Sequence, residues 1–294
     1  MITFFQAIII GLVQGVTELF PISSLGHSIL IANLFGWNNI ASEQATKTSS
    51  YLTFIVALHV ATALALFIFY RATWFKIFKG FINSIRHKRI TTIYEKMAWL
   101  LIIGTIPAGI LGLLLESKLR ALFAVPLLAA VMLVINGFIL LAGDYRQRSL
   151  KKLKTDLETS HDSTKTIAVK LNYGRAGLMG VAQSFALLAG ISRSGITMVT
   201  GLFSGLSFES AARFSFLLAT PIIFLAGMYK LPELAKPAAH AILPQTIVGA
   251  IVAGIAAYLS VRFLDKYFQN KRLWPFAVYC FIFGSFMIIL QLLK

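Results

Sequence analysis

The sequence predicts an all-α polytopic membrane protein with an inverted-topology repeat, each half a re-entrant helical hairpin plus three transmembrane helices. Three observations lead there. Long apolar runs recur along all 294 residues, 57% of which are hydrophobic and only 13% charged, about half the charge usual in a soluble domain. The basic residues gather in alternate connections. And residues 11–26 return, in part, 169 positions later. A soluble globule, a coiled coil and a disordered chain are excluded by the first observation. An outer-membrane barrel is excluded because its strands alternate apolar and polar residues, whereas these runs are apolar on every face.

The elements follow in order. Apolar segments fall at 1–17, 27–36, 51–70, 97–115, 121–142, 177–190, 196–206, 212–229, 241–261 and 273–292. Six are about 20 residues long, enough to cross a hydrocarbon core of about 30 Å. The remaining four, 1–17, 27–36, 177–190 and 196–206, are short and interrupted by polar, Gly or Pro residues, which suits re-entrant hairpins buried in protein. Connections 71–96, 143–175 and 262–272 hold 19 of the 27 Lys and Arg, while 37–50, 116–120 and 230–240 hold five. Basic loops stay in the cytoplasm, so the first set faces inward, and the net charge of +16 is a topology signal joined to attraction for anionic headgroups. Nucleic acid is not the expected partner.

Parity then constrains the hairpins. With three crossings in 51–142, the region 177–211 must begin and end inside, and 1–36, if it is the matching hairpin, begins and ends outside. The chain reads as a single membrane domain over 1–294: repeat one is 1–142, a basic cytoplasmic loop is 143–175, and repeat two is 176–294. Gly11-Leu-Val-Gln14 lies over Gly180-Val-Ala-Gln183, followed by Leu19/Leu188, Ile22/Ile191, Ser23/Ser192 and Gly26/Gly195. Such repeats place broken helices face to face near the midplane, with a site where they meet. The first segment lacks a basic signal-peptide flank, so it is expected to stay in the mature protein. The one cysteine, Cys280, excludes an internal disulfide and a metal–thiolate cluster.

Ionisable groups at membrane depth are costly and mark function, and each hairpin carries a cluster of polar residues. The first runs Gln14-Gly-Val-Thr17-Glu18-Leu-Phe-Pro21-Ile-Ser23-Ser24-Leu-Gly26-His27. Gln14 and Glu18 share a helix face, and Pro21 breaks that helix and suits the first turn of the next. Ser23, Ser24 and His27 line the second start. A hydroxyl near an imidazole and a carboxylate, with free backbone N–H groups, forms a set for phosphoryl transfer. The plainer alternatives are a Glu18–His27 staple and a capping role for Ser24.

The second cluster, Gly190-Ile-Ser192-Arg193-Ser194-Gly195-Ile-Thr197, follows Gln183. Arg193 is the sole basic residue between Ala176 and Ala212. A guanidinium offers paired donors to phosphate oxygens, and Ser192, Ser194 and Thr197 add hydroxyls. The alternative is a structural Arg193–Glu18 bridge. Among other residues, His59 in a long span is as readily a packing residue as a site member. Glu209 and Arg213 suit a surface ion pair, and Gly11/Gly15 and Gly201/Gly205 suit close helix approach. The 24 phenylalanines read as lipid-facing bulk, and 146–175 as a solvated loop.

Together the two motifs resemble the undecaprenyl-diphosphatase family, also called bacitracin-resistance proteins. Its first signature, [E/Q]-x-x-x-E-x-x-P-[VI]-S-S-x-G-H, is met by Gln14 through His27. Its second, P-G-x-S-R-S-G-x-T, is met by Ala189 through Thr197, and a Thr-Phe-x-x-x-Leu-His stretch surrounds His59. Gln14 stands for the commoner glutamate, which weakens a metal ligand there, and Ala189 stands for proline. The resemblance implies hydrolysis of a C55 polyprenyl diphosphate to the monophosphate, recycling the carrier of peptidoglycan synthesis and giving bacitracin resistance. It implies Mg²⁺ or Ca²⁺, with Gln14 and Glu18 as the ligands to test, and a site on the extracytoplasmic side of the inner (cell) membrane. Glu18, Ser24, His27 and Arg193 are then the expected catalytic residues, and Ser23, Ser192, Arg193, Ser194 and Thr197 the expected substrate ligands. Covalent attack by Ser24 and direct attack by water both remain open, as does a homodimer. The rivals are a polyprenyl-phosphate transporter and a purely structural partner of cell-wall enzymes.

Overall fold

The structure, a computed structural model, describes residues 2–37, 40, 50–119, 125–153, 163–234 and 240–293. Every regular element among them is helical. In chain order they are α1 (Phe4–Thr17), α2 (Ser24–Leu34), α3 (Ser50–Phe69), α4 (Arg71–His87), α5 (Ile93–Leu119) and α6 (Pro126–Leu153). After these come α7 (Ser163–Lys170), α8 (Tyr173–Ser184), α9 (Arg193–Phe203), α10 (Phe208–Leu234), α11 (Leu243–Asn270) and α12 (Trp274–Leu292). Six of them, α3, α5, α6, α10, α11 and α12, are long and apolar enough to cross a membrane. The others that meet the site are short: α1 has 14 residues, α2 11, α8 12 and α9 11. At 1.5 Å per residue these reach only about 16–21 Å, less than a bilayer core.

Small residues bring the short helices in. On α1, a Cβ at Gly11 would stand 2.5 Å from the Gly249 carbonyl oxygen, and one at Gly15 2.4 Å from that of Ala253, both on α11. On α8, a Cβ at Gly180 would stand 2.3 Å from the Gly104 carbonyl oxygen on α5, beside Pro107. α1 and α8 thus each lie backbone to backbone on a long helix from the other half of the chain. Gly11 and Gly15 serve the close approach their spacing suggested. Gly205 does not: it takes φ +90° as α9 ends, with open space around its Cβ position.

Several expectations are corrected. The connection 71–96 contains α4, an amphipathic helix with three faces. Trp74, Ile77, Gly80 and Ser84 are buried, Phe75, Phe78, Ile82 and Ile85 are exposed and apolar, and Lys76, Lys79 and Arg86 are exposed and basic. The stretch 146–175 is not simply a solvated loop. α6 continues to Leu153, and α7 buries Ile167 and Ala168 against the core; residues 154–162 lie outside the described residues, as do 38–39, 41–49, 120–124 and 235–239. Phenylalanine is not all lipid-facing, since Phe54, Phe214, Phe216 and Phe268 are fully buried. Glu209 accepts from the Ser163 hydroxyl, while Arg213 lies over the Tyr70 ring and donates to Thr73, so their partners lie elsewhere than on each other. Cys280 is a free, buried thiol.

Candidate active site

Two chain breaks build the site. α1 ends at Thr17, a turn carries Glu18 through Ile22, and α2 starts at Ser24 with Ser23 as its N-cap. Pro21 therefore sits in the turn rather than in the first turn of α2. In the second break, α8 gives way to a 3₁₀ turn at Phe185–Leu187, and α9 starts at Arg193 with Ser192 as its N-cap. The caps match: Ser23 Oγ accepts from the Gly26 N–H at 3.3 Å, and Ser192 Oγ from the Gly195 N–H at 3.1 Å. Such hydroxyls are the usual means of satisfying a helix's first N–H groups.

The breaks are bonded to each other. Ser23 Oγ accepts from the Gly190 N–H at 3.1 Å, and Ser194 Oγ donates to the Phe20 carbonyl at 3.2 Å. Asn136, fully buried on α6, holds both: its Nδ2 donates to the Pro21 carbonyl and its Oδ1 accepts from the Ser192 N–H, each at 2.9 Å. Gly190 takes φ +105°, and a Cβ there would lie 2.3 Å from the Ala129 carbonyl oxygen, so position 190 admits only glycine. Ser23 has φ +71°, a conformation that costs a non-glycine residue about 1–3 kcal/mol and gathers at functional sites. This strained residue directly precedes Ser24.

Glu18, 6% exposed, is the centre. Its Oε1 accepts from Arg193 Nη2 at 2.8 Å. Its Oε2 accepts from Ser24 Oγ at 2.5 Å and from Gln14 Nε2 at 2.9 Å, and lies 3.3 Å from His59 Nε2. His59 Nδ1 faces the Ile55 carbonyl at 2.9 Å, so both ring nitrogens meet acceptors and the ring suits its doubly protonated form. A carboxylate between a guanidinium and an imidazole is compensated, which a buried charge requires. The expected Arg193–Glu18 bridge forms, yet it does not use up the arginine: Arg193 Nη1 is buried without a hydrogen-bond partner.

The site opens on a cavity of about 300 Å³ lined by Glu18, Ser24, His59, Gln183 and Arg193, with apolar walls from Ile55, Ala108, Ile222 and Ala226. Glu18, Ser24, Arg193 and Gln14 therefore come together as a cluster, and Ser23 and Ser192 border the cavity while serving as caps. Ser194 and Thr197 do not border it. Thr197 Oγ1 donates to the Arg193 carbonyl at 2.7 Å and pairs with Ser215 Oγ at 2.5 Å, anchoring α9 from below.

His27 is also turned away. Its Nδ1 donates to the Ser23 carbonyl at 2.7 Å, its Nε2 meets the Tyr279 hydroxyl at 2.8 Å, and its ring stacks on Tyr279 and Phe283. The imidazole that reaches Glu18 is His59, from a different helix. Asn136 and Tyr279 escaped the sequence reading. For Asn136 a signal existed, since a lone amide in an apolar crossing needs a partner inside the protein.

The donor set was also matched against a divalent cation. Among the described residues no group of three or more His, Cys, Asp or Glu converges. Gln14 Oε1, however, is a buried acceptor without a partner beside the Glu18 carboxylate. One carboxylate and one amide oxygen fit a hard cation that takes its other ligands from substrate phosphates and water.

These features define a class: a polytopic helical membrane protein with a buried carboxylate, arginine and hydroxyl cluster where two broken helices meet. The chain belongs to the family described as "Bacitracin resistance protein BacA", which it matches over residues 7–286. It is 46% identical to "Undecaprenyl-diphosphatase 2" of Frankia alni, over 97% of this chain and 96% of that protein. It is 47% identical to "Undecaprenyl-diphosphatase" of Mycolicibacterium paratuberculosis, with the same coverage. With "Undecaprenyl-diphosphatase 2" of Burkholderia ambifaria it shares 44% identity over 96% of this chain and 94% of that one.

Proposed function

We propose that this protein hydrolyses undecaprenyl diphosphate to undecaprenyl phosphate and inorganic phosphate, recycling the lipid carrier of peptidoglycan synthesis and conferring bacitracin resistance. One observation carries the reading beyond the names of the relatives. Glu18 accepts the Ser24 hydroxyl proton and one arm of Arg193, while the other arm, Nη1, has no partner. That arrangement has a nucleophile, a base and a vacant anion donor within one carboxylate's reach.

In this mechanism Arg193 Nη1 donates to an oxygen of the terminal phosphate, and Ser24 Oγ attacks its phosphorus as Glu18 Oε2 takes the proton. The bond to the bridging oxygen breaks and its electron pair leaves with undecaprenyl phosphate; water then releases phosphate from the serine. In the direct variant Glu18 activates water instead, and Ser24 orients it. His59, rather than His27, holds the ionised Glu18 and can return a proton. A divalent cation, Mg²⁺ or Ca²⁺, held by Glu18 and Gln14 Oε1, would neutralise diphosphate charge. Ser192 and Ser23 shape the phosphate pocket through the caps they form, and Ser194 and Thr197 act by fixing α9. The apolar cavity wall takes the first isoprene units of the substrate, with the rest in the surrounding lipid.

The proposal includes the inverted repeat, 1–142 against 176–294, with two re-entrant hairpins and the basic loop between. Several contacts support it: Gly11 on Gly249 is mirrored by Gly180 on Gly104, the Ser23 and Ser192 caps match, and the two breaks are cross-bonded. The cavity draws on Leu52, Ile55 and His59 in the first half of α3 and on Ile222 and Ala226 in the second half of α10. By the basic-loop orientation these are the outer halves, which supports a mouth toward the extracytoplasmic side of the cell membrane. A homodimer remains part of the expectation, to be read by light scattering of the purified chain.

The test is phosphate release from undecaprenyl diphosphate by purified protein in detergent, with and without EDTA, beside Arg193→Ala. EDTA-sensitive release that the variant lacks is the expected result. No release under any cation would favour the transporter, since detergent abolishes the two compartments that transport needs.

A further inference from the structure

Gln183 lies one residue from the end of α8, 3% exposed, and borders the same cavity as Glu18 and Arg193. Both polar atoms of its side chain, Oε1 and Nε2, are buried without a hydrogen-bond partner. A primary amide carries two N–H donors and an acceptor oxygen, and burying them unmet is destabilising. The reason for the vacancy is legible 169 residues earlier. Gln14 Nε2 donates to Glu18, four positions on, whereas the residue four positions beyond Gln183 is Leu187. The neighbouring hydroxyl of Ser184 is turned to the Gly180 carbonyl and offers nothing.

We propose that Gln183 is a substrate-binding residue whose amide Nε2 donates to a non-bridging oxygen of the lipid's diphosphate, from the α8 side of the cavity, while Arg193 Nη1 takes another oxygen. The inference rests on the phosphatase reading and adds a ligand to it. The chemistry selects an anionic phosphate ester, because a headgroup without acceptor oxygens leaves the N–H groups unmet. The Nε2 donors of Gln183 are thus left unsatisfied in the free protein and met by substrate, at the expense of stability.

That trade gives the test a sign which a structural residue would not produce. Gln183→Met keeps the length of the side chain and removes its polarity; Gln183→Glu places a negative charge against the diphosphate. The full chain, purified in detergent, is measured for KM and kcat with undecaprenyl diphosphate, for equilibrium binding of undecaprenyl phosphate, and for thermal midpoint. Gln183→Met is expected to raise KM and weaken product binding by roughly 10- to 100-fold, with the midpoint unchanged or higher. Gln183→Glu is expected to bind more weakly still. A Gln183→Met protein with wild-type KM and product binding overturns the proposal, and so does one whose midpoint falls while the binding of its folded fraction is unchanged. The binding measurement needs no turnover. If the wild type releases no phosphate, the phosphatase reading fails by itself, and the effect of Gln183→Met on product binding still decides the role of the amide.

Discussion

The two chain breaks are built alike and equipped differently. At a separation of 169 residues, Ser23 and Ser192 both cap a helix, and Gly26 and Gly195 both sit in the first turn under that cap. The residues that differ are those of the polar cluster: Glu18 stands against Leu187, and Ser24 against Arg193. The first break supplies the carboxylate and hydroxyl, the second the guanidinium, and all three border one cavity. Shared residues cap the helices and divergent residues form the cluster, so neither break holds it alone.

The strongest way to break this comparison is to remove the second break's contribution. Arg193→Ala should lower phosphate release by about 100- to 1,000-fold, the scale for losing a donor aimed at developing charge. Arg193→Lys should restore little, because an ammonium lacks the rigid planar fork that fixes one donor on Glu18 and aims the other at a phosphate oxygen. Near-normal turnover in the alanine variant would falsify the phosphate role.

Removing the first break's hydroxyl comes next. Ser24→Ala should cost at least about 100-fold if Ser24 is the nucleophile, and acid-quenched wild-type enzyme should yield a phosphoserine peptide by mass spectrometry. Retention of more than about a tenth of the rate rejects the covalent route and leaves direct water attack.

The two histidines sharpen the contrast between chemistry and scaffold. His59→Leu should lower kcat by roughly 10- to 100-fold, because Glu18 loses a partner that compensates its charge. His27→Leu should leave kcat within a few fold but cost about 1–3 kcal/mol of stability, as the Tyr279 hydroxyl and Ser23 carbonyl lose their partner. If His27→Leu is folded and inactive while His59→Leu is active, the assignment is reversed. The smallest effect on activity is expected for Asn136→Ala. It loosens both breaks at once and should lower the thermal midpoint, with kcat within about twofold of wild type once the folded fraction is counted.

Much of the architecture was legible because it depends on local composition. Candidate spans follow from apolar length and Gln14–Glu18 from helical spacing, and each is a property of a short window. The same reasoning mistook α4 and α7 for loop, since their apolar stripes are narrow and interleaved with Lys and Arg. It also placed Ser194 and Thr197 with the substrate because hydroxyls beside an arginine look alike in one dimension, whether they face a cavity or cap a helix.

By itself, the sequence determined the class of protein, the six helices long and apolar enough to cross a membrane, and the residue types that carry the charge. Only the tertiary structure decided which imidazole meets Glu18, which amide ties the breaks together and which arm of Arg193 stays vacant. His27 is nine residues from Glu18 and points away, whereas His59 is 41 residues distant and lies 3.3 Å off. No periodicity encodes that choice. It depends on how α3 packs against the first chain break, where a buried carboxylate pairs with whichever imidazole the fold brings near.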